Sequence, residues 1–346
     1  MREEVLANVL ANPRVEPVLA IWGWEIATYL FLGGLAAGLM VFSGWVVLSG
    51  RAYRAPFAAN RAPLIGLILL GLGMGTLFLD LERKINVWRF YAFLHVTSPM
   101  SWGAWILILV FPVLALLALA GLPVGFPRLA NDLQRLPALG PRVLAPIIRL
   151  CGLARKPLAL LAITLGIGLG LYTGVLLSNF NARPFWHSAL LGPLFLVSGL
   201  STGAALMILG AGSPEERHLF SRIDLGLIAT ELALIFLFLI DMMTGDAMQQ
   251  VAVAHVLGGT QTHLFWIGFI GLGLAVPLVL EAAIWWRSIT LIAGAASILV
   301  LLGGFLLRDV MITTGQQTSW THVHNQFNPG LLTVLRSDGE NPNGRF

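Results

Sequence analysis

Glu25 and Tyr29 stand four residues apart in the first apolar stretch of the chain, a spacing that stacks two side chains on one helical face, one turn apart. A carboxyl and a phenol therefore look into the same space. His95 lies in FLHVTSPMSWGAW, where Pro99 reads as the opening of a helix and Thr97 and Ser98 can cap it or hydrogen-bond a guest. Tyr172 begins YTGVLLSNFNARPFWH, which also carries Asn179, Asn181 and Arg183. A histidine, two phenols and an acid at one level can hydrogen-bond the two carbonyl oxygens of a quinone and exchange its protons. Taken singly, each has an ordinary reading as well: Tyr and Trp form interfacial belts, and a lone interfacial His is usually just solvated.

The elements that must position these groups follow from composition. Of 346 residues, 57% are hydrophobic and 11% charged, and the mean hydropathy is +0.82, whereas soluble domains carry roughly a quarter charged residues. The solvent of this chain is lipid. A bilayer crossing needs about 20 apolar residues. Eight such stretches are expected near 19–48, 62–80, 101–121, 157–178, 187–211, 222–243, 262–285 and 288–310, an all-α polytopic transmembrane helix bundle. The polar and small residues that concentrate in the first four suggest that these form one bundle. Small residues at four-residue spacing, Gly34 and Gly38, Gly71 and Gly75, Gly166 and Gly170, Gly199 and Gly203, read as close helix contacts. A net charge of +4 from 21 Lys and Arg against 17 acids is too small a basic excess for nucleic-acid binding.

The basic residues instead report topology. They concentrate after spans one, three, five and seven, at Arg51, Arg54, Arg61, at Arg128 through Lys156, and at Arg217, Arg222 and Arg287. By the positive-inside rule these loops are cytoplasmic. Residues 1–18 then form an extracytoplasmic N-terminal segment, 19–310 the transmembrane domain and 311–346 an extracytoplasmic polar tail able to cover a partner. The start of the chain has three acids and no apolar core, so the first span reads as a signal anchor. The 121–156 connection spaces its arginines amid Leu, Ile and Pro, as an interfacial segment on anionic membrane lipid would.

Ionisable groups at bilayer depth cost about 2.5–3.5 kcal/mol or more and demand a reason. Glu231 falls mid-span. Asp241 lies ten residues toward the outer end, Asp80, Glu82, Glu281 and Asp309 lie near span ends, and Arg308 stands at a depth where it can pair with Asp241. Glu231, Asp241, Asp80 and Arg308 are the candidates for moving protons. The competing reading for the buried acids is structural pairing. A single cysteine, Cys151, excludes a disulfide framework, a Cys-ligated iron–sulfur cluster and a multi-cysteine zinc site, and no metal ligands are assigned. His95, His187, His255 and His263 all fall at span ends, which argues against haem. The competing function class is a secondary transporter or proton channel, although the broken, repeated helices of transporters are not evident.

Trp22-Gly23-Trp24 running into LFLGGLAAG, then Leu79-Asp80-Leu81, TSPMSWGAW, YTGVLLSNFNARPFWH and LLGGFLLRDV follow one another along nearly all eight spans. In this the chain resembles the NrfD/PsrC-type membrane subunits of respiratory oxidoreductases. The resemblance implies a prokaryotic inner-membrane anchor, without haem or iron–sulfur cluster of its own, that exchanges electrons between menaquinone or ubiquinone and a four-cluster ferredoxin-like iron–sulfur subunit. In such complexes a molybdopterin subunit often carries the terminal catalysis. Tyr172 matches the family's quinone-contacting tyrosine, and His95 the histidine before Thr-Ser-Pro. The first helix departs from the pattern: Ile26 and Tyr29 stand where some members place Asn and His, with Glu25 adjacent. The iron–sulfur partner is expected to dock on the outer loops, at Arg89 and Arg183.

Overall fold

The computed structural model describes residues 22–81, 83–135, 140–180, 182–284 and 290–318. Glu82, Asn181, Arg287, the N-terminal segment and most of the polar tail lie outside the described residues. Among the described residues, eight helices are long and apolar enough to cross a membrane, and every regular element is helical. We number them α1 (Trp24–Leu48), α2 (Ala62–Asp80), α3 (Pro99–Gly125), α4 (Arg155–Ser178), α5 (Leu191–Gly210), α6 (Pro214–Thr244), α7 (Leu264–Ala283) and α8 (Thr290–Gln317).

Helix α1 is the hub. It packs most extensively against α4, α2 and α5, while α3 closes a four-helix bundle by lying between α2 and α4. Helix α5 joins this bundle to a second group, contacting α6 and α8, and α7 packs on α8. The junction of the two groups depends on missing side chains. A Cβ on Gly199 would sit 2.8 Å from the Gly34 carbonyl oxygen, and one on Gly203 would sit 2.8 Å from Gly38 backbone. The two glycine pairs thus face one another, and α1 meets α5 backbone to backbone. Gly273 and Gly303 do the same between α7 and α8. Gly71 and Gly75 differ from expectation, since both face open space and mediate no contact: four-residue spacing puts two small residues on one face without saying which face meets a neighbour.

Several ends move for local reasons. Helix α6 begins at Pro214, eight residues before the expected start, because Ser213 accepts the Glu216 N–H at 3.2 Å and Pro214 fits the first turn. Its 31 residues span about 46 Å. Helix α8 continues to Gln317, past the expected end at 310. In the α3–α4 connection, short helices at Pro127–Gln134 and Ala145–Leu153 flank a wide turn at Gly140–Leu144. Leu122, Ala130 and Ile148 bury together beneath them.

The Arg-rich face is held by its own charges. Glu216, fully buried, accepts the N–H groups of Ala58 and Phe57 and so caps the short helix Pro56–Asn60. Arg155 donates to Ala59 O and Asn60 Oδ1, both at 2.7 Å, and Arg61 to Gly125 O at 3.0 Å. These arginines satisfy helix-end carbonyls besides marking topology. On the opposite face, Trp22 exchanges two hydrogen bonds with Gln316, N to Oε1 at 2.9 Å and Nε2 to O at 2.8 Å. Trp22 also stacks on Trp186, whose Nε1 donates to Met311 O. The starts of α1 and α5 and the end of α8 therefore meet.

Candidate functional site

A cavity of about 500 Å³ opens inside the first bundle at the face where Trp22 meets Gln316. Its walls come from α1 (Ile26, Tyr29, Leu30), α2 (Met74, Leu77, Asp80), α3 (Gly103, Ala104, Leu107) and α4 (Tyr172, Leu176). Val87, Phe90 and Tyr91 of the α2–α3 connection form its roof. The lining is apolar except for three phenols and one carboxyl. Tyr29 and Tyr172 are buried, and Tyr172 owes its place to Gly103, since a Cβ there would fall within its ring. Glu25, half-buried one turn before Tyr29, lies within electrostatic reach of Asp80 and so places a second acid near the cavity.

Tyr91 is the member that the sequence reading missed. It lies on a five-residue helix, Trp88–Ala92, where no periodicity ties it to a bundle face. Its half-buried phenol is pushed above its ordinary range by desolvation, so at neutral pH it is a hydrogen-bond donor. Asp80, expected on a proton route, belongs to this cavity instead. Three candidates for the quinone set are not among its lining residues. The His95 side chain is exposed and its N–H donates to Ser101 Oγ at 3.0 Å, Ser98 is the half-buried N-cap residue of α3, and Asn179 ends α4, its Nδ2 donating to Val175 O at 2.8 Å.

Both expected docking arginines can be placed. Arg89 is exposed, with its guanidinium 5.8 Å from the Trp88 ring centroid. Arg183 is 5% exposed and donates to Gln316 O at 3.2 Å and Thr318 O at 2.8 Å. It is corrected from a docking residue to a clamp on the end of α8, because a side chain spent on buried carbonyls offers little to a partner.

The buried charges form a second constellation where the two helix groups join. Arg308 of α8 is fully buried and donates to Ser198 Oγ and Gly304 O, both at 2.7 Å, and to Phe195 O at 3.3 Å. It faces Glu231 electrostatically, and Ser198 lies within hydrogen-bonding reach of the same carboxyl. The expected pairing of Arg308 with Asp241 is therefore overturned: Asp241 accepts a 2.6 Å bond from Ser188 instead. Helical phase decides this, since positions 231 and 241 lie about 80° apart around α6.

A sequence profile of the family described as "Polysulphide reductase, NrfD" matches residues 14–319. The chain belongs to the NrfD family. Among relatives, a membrane component of the polysulfide reductase of Wolinella succinogenes is 30% identical over 310 residues, which make up 86% of this chain and 94% of that protein. Protein NrfD of Escherichia coli is 31% identical over 311 residues, 86% and 96% of the two. A component of the tetrathionate reductase of Salmonella typhimurium is 27% identical over 349 residues, 97% and 92% of the two. The NrfD match takes in all eight helices, the three-phenol cavity and the Glu231–Arg308 pair.

Proposed function

We propose that the cavity receives the headgroup of a membrane quinone or quinol, menaquinone or ubiquinone, and that the protein exchanges its electrons with an iron–sulfur partner. The observation that carries this is the grouping of Tyr29, Tyr91, Tyr172 and Asp80 in an otherwise apolar cavity, walled by four lipid-embedded helices and about 500 Å³ in volume. That size lies within the usual range for small-molecule sites. Phenol hydroxyls donate to the two ring carbonyls, while Asp80, with Glu25 beside it, takes or supplies the protons that accompany electron transfer.

Relatives named as parts of polysulfide reductase and of tetrathionate reductase support placing this protein in a multi-subunit reductase. A four-cluster ferredoxin-like subunit would bring electrons to the cavity face, and a molybdopterin subunit would act beyond it. Ile85, Trp88, Phe93, Leu94 and Val96, all more than half exposed, gather with Arg89 in the α2–α3 connection, directly over the cavity roof. An apolar patch with an aromatic and an arginine suits a docking surface. The Arg-rich face is placed toward the cytoplasm and the cavity face outside, in a prokaryotic inner membrane.

Tyr172→Phe tests the reading, because it removes one hydroxyl and little volume. Quinol-linked turnover should fall while the complex assembles and the partner still reacts with artificial donors. Undiminished quinol turnover in the assembled variant removes Tyr172 from the site.

A further inference from the structure

Asp224 and Glu281 belong to no function described so far. Asp224 sits seven residues before Glu231 on the same face of α6, and Glu281 lies near the Arg-rich end of α7. The first is 0% exposed and the second 4%. Their carboxyl groups adjoin. Ser201 of α5 donates to Asp224 Oδ1 at 2.6 Å, but Asp224 Oδ2 and both Glu281 oxygens lack a formed hydrogen bond among the described residues. Desolvated polar atoms without partners are costly, so a purely structural role is a poor account of this pair. Two adjoining carboxyl groups at such depth also hold a proton between them, because like charges this close disfavour double ionisation.

A second, independent feature reaches the pair. Glu281 lines a cavity of about 660 Å³ at the Arg-rich face, together with Arg51, Arg54, Glu215, His218, Ser221 and Arg222. Water in that vestibule touches a carboxyl whose neighbour is buried. From Asp224, the polar atoms continue inward. Ser201 and Ser198 lie three residues apart on one face of α5, and Ser198 adjoins both Glu231 and Arg308. The Arg308 guanidinium rests against Gly34, 2.8 Å from where its Cβ would be. Gly34 lies five residues, about 7.5 Å along the axis, from Tyr29 of the first cavity.

We propose that Glu281 and Asp224 form the entrance of a proton relay from the Arg-rich face to Glu231, and so to the level of the phenol-lined cavity. In each transfer one proton leaves the pair for Glu231 and one enters from vestibule water, so the pair regains its starting charge. Between Asp224 and Glu231 the axial separation is about 10 Å, which Ser201, Ser198 and intervening water bridge. The coupling of this relay to turnover rests on the quinone reading above. Its access to the vestibule does not.

Two measurements on the full-length protein separate these. In nanodiscs, infrared difference spectroscopy on passing from H₂O to D₂O should show an exchangeable protonated-carboxyl band that is lost in Glu281→Gln and in Asp224→Asn, each verified as folded by size exclusion. Ser201→Ala, which keeps both acids, should shift the band rather than remove it. A band that is missing, that does not exchange, or that responds to sodium and not to D₂O overturns the relay whatever the first cavity binds. In vesicles carrying the complex in one orientation, a pH-sensitive dye confined to the Arg-rich side should report proton movement during quinol-linked turnover, reduced on the order of a hundredfold in Glu281→Gln. Wild-type turnover without any signal on that side, or an unchanged signal in the variant, rejects the proposal. A wild type with no quinol turnover rejects the quinone cavity, and the infrared result then decides the relay.

Discussion

The position of the Tyr172 hydroxyl is set by Gly103, because any Cβ at 103 would occupy the ring's space. Gly103→Ala must therefore displace the ring or push α3 from α4. Misplacement of a substrate-contacting group by about 1 Å can cost a hundredfold in rate. We expect quinol-linked turnover to fall by about that factor in Gly103→Ala with assembly intact, read by steady-state kinetics beside Tyr172→Phe; equal rates for the alanine variant and the wild type would show that the ring is not positioned this way. Arg308 offers a stability counterpart. Removing one partner of a buried charge pair typically costs about 3–5 kcal/mol, and Arg308→Met leaves Glu231 facing an apolar side chain. Thermal unfolding of the detergent-purified protein should show a large loss for Arg308→Met, much of it recovered in the Arg308→Met, Glu231→Gln double variant. A double variant no better than the single one would mean that Arg308 matters for its carbonyl bonds to Phe195 and Gly304 rather than for Glu231.

Among the elements, the α1–α5 contact and the bare glycines of α2 make opposite predictions from the same sequence spacing. Gly38→Leu places a side chain against the backbone of Gly199 and Gly203, which cannot yield as a flexible side chain would, and overpacking of this kind costs about 1–3 kcal/mol or more. Gly71→Leu adds a methylene-rich group to open space. Melting temperature in detergent should drop for the first and hold for the second, and a drop for both would remove the distinction. This also marks how far the sequence could be read. The eight spans, the four-helix arrangement and the phenol pair of α1 and α4 were legible, because hydropathy and helical spacing encode them directly. Span ends were not: the start of α6 is decided by one Ser-Pro cap, and the end of α8 by Arg183 and Trp22 reaching it from far along the sequence. Tyr91 and the non-lining positions of His95 and Asn179 were hidden because connectors between helices carry no period. Asp224 and Glu281 became a pair only once α6 and α7 were seen side by side.

Taken whole, the molecule puts its phenol cavity at one face and its acid-lined vestibule at the other, with Arg308 where the two helix groups join. A partner delivering electrons belongs on the cavity face, over the apolar patch around Trp88. A central aromatic in such a patch is typically worth at least about 2 kcal/mol, so Trp88→Ala should weaken association with the iron–sulfur subunit roughly thirtyfold. Pull-down at graded concentrations of that subunit measures it, and unaltered binding would move the interface elsewhere. The bonds between Trp22 and Gln316 add a constraint of timing. They join residues 294 positions apart, and at about 5–20 residues per second the ribosome adds the second on the order of 15–60 s after the first. The entry to α1 thus waits, already in the bilayer, for nearly the last helical residue before it is latched. A nascent polypeptide halted short of α8 would expose an unlatched Trp22 and Trp186, giving membrane quality control a simple mark of incompleteness.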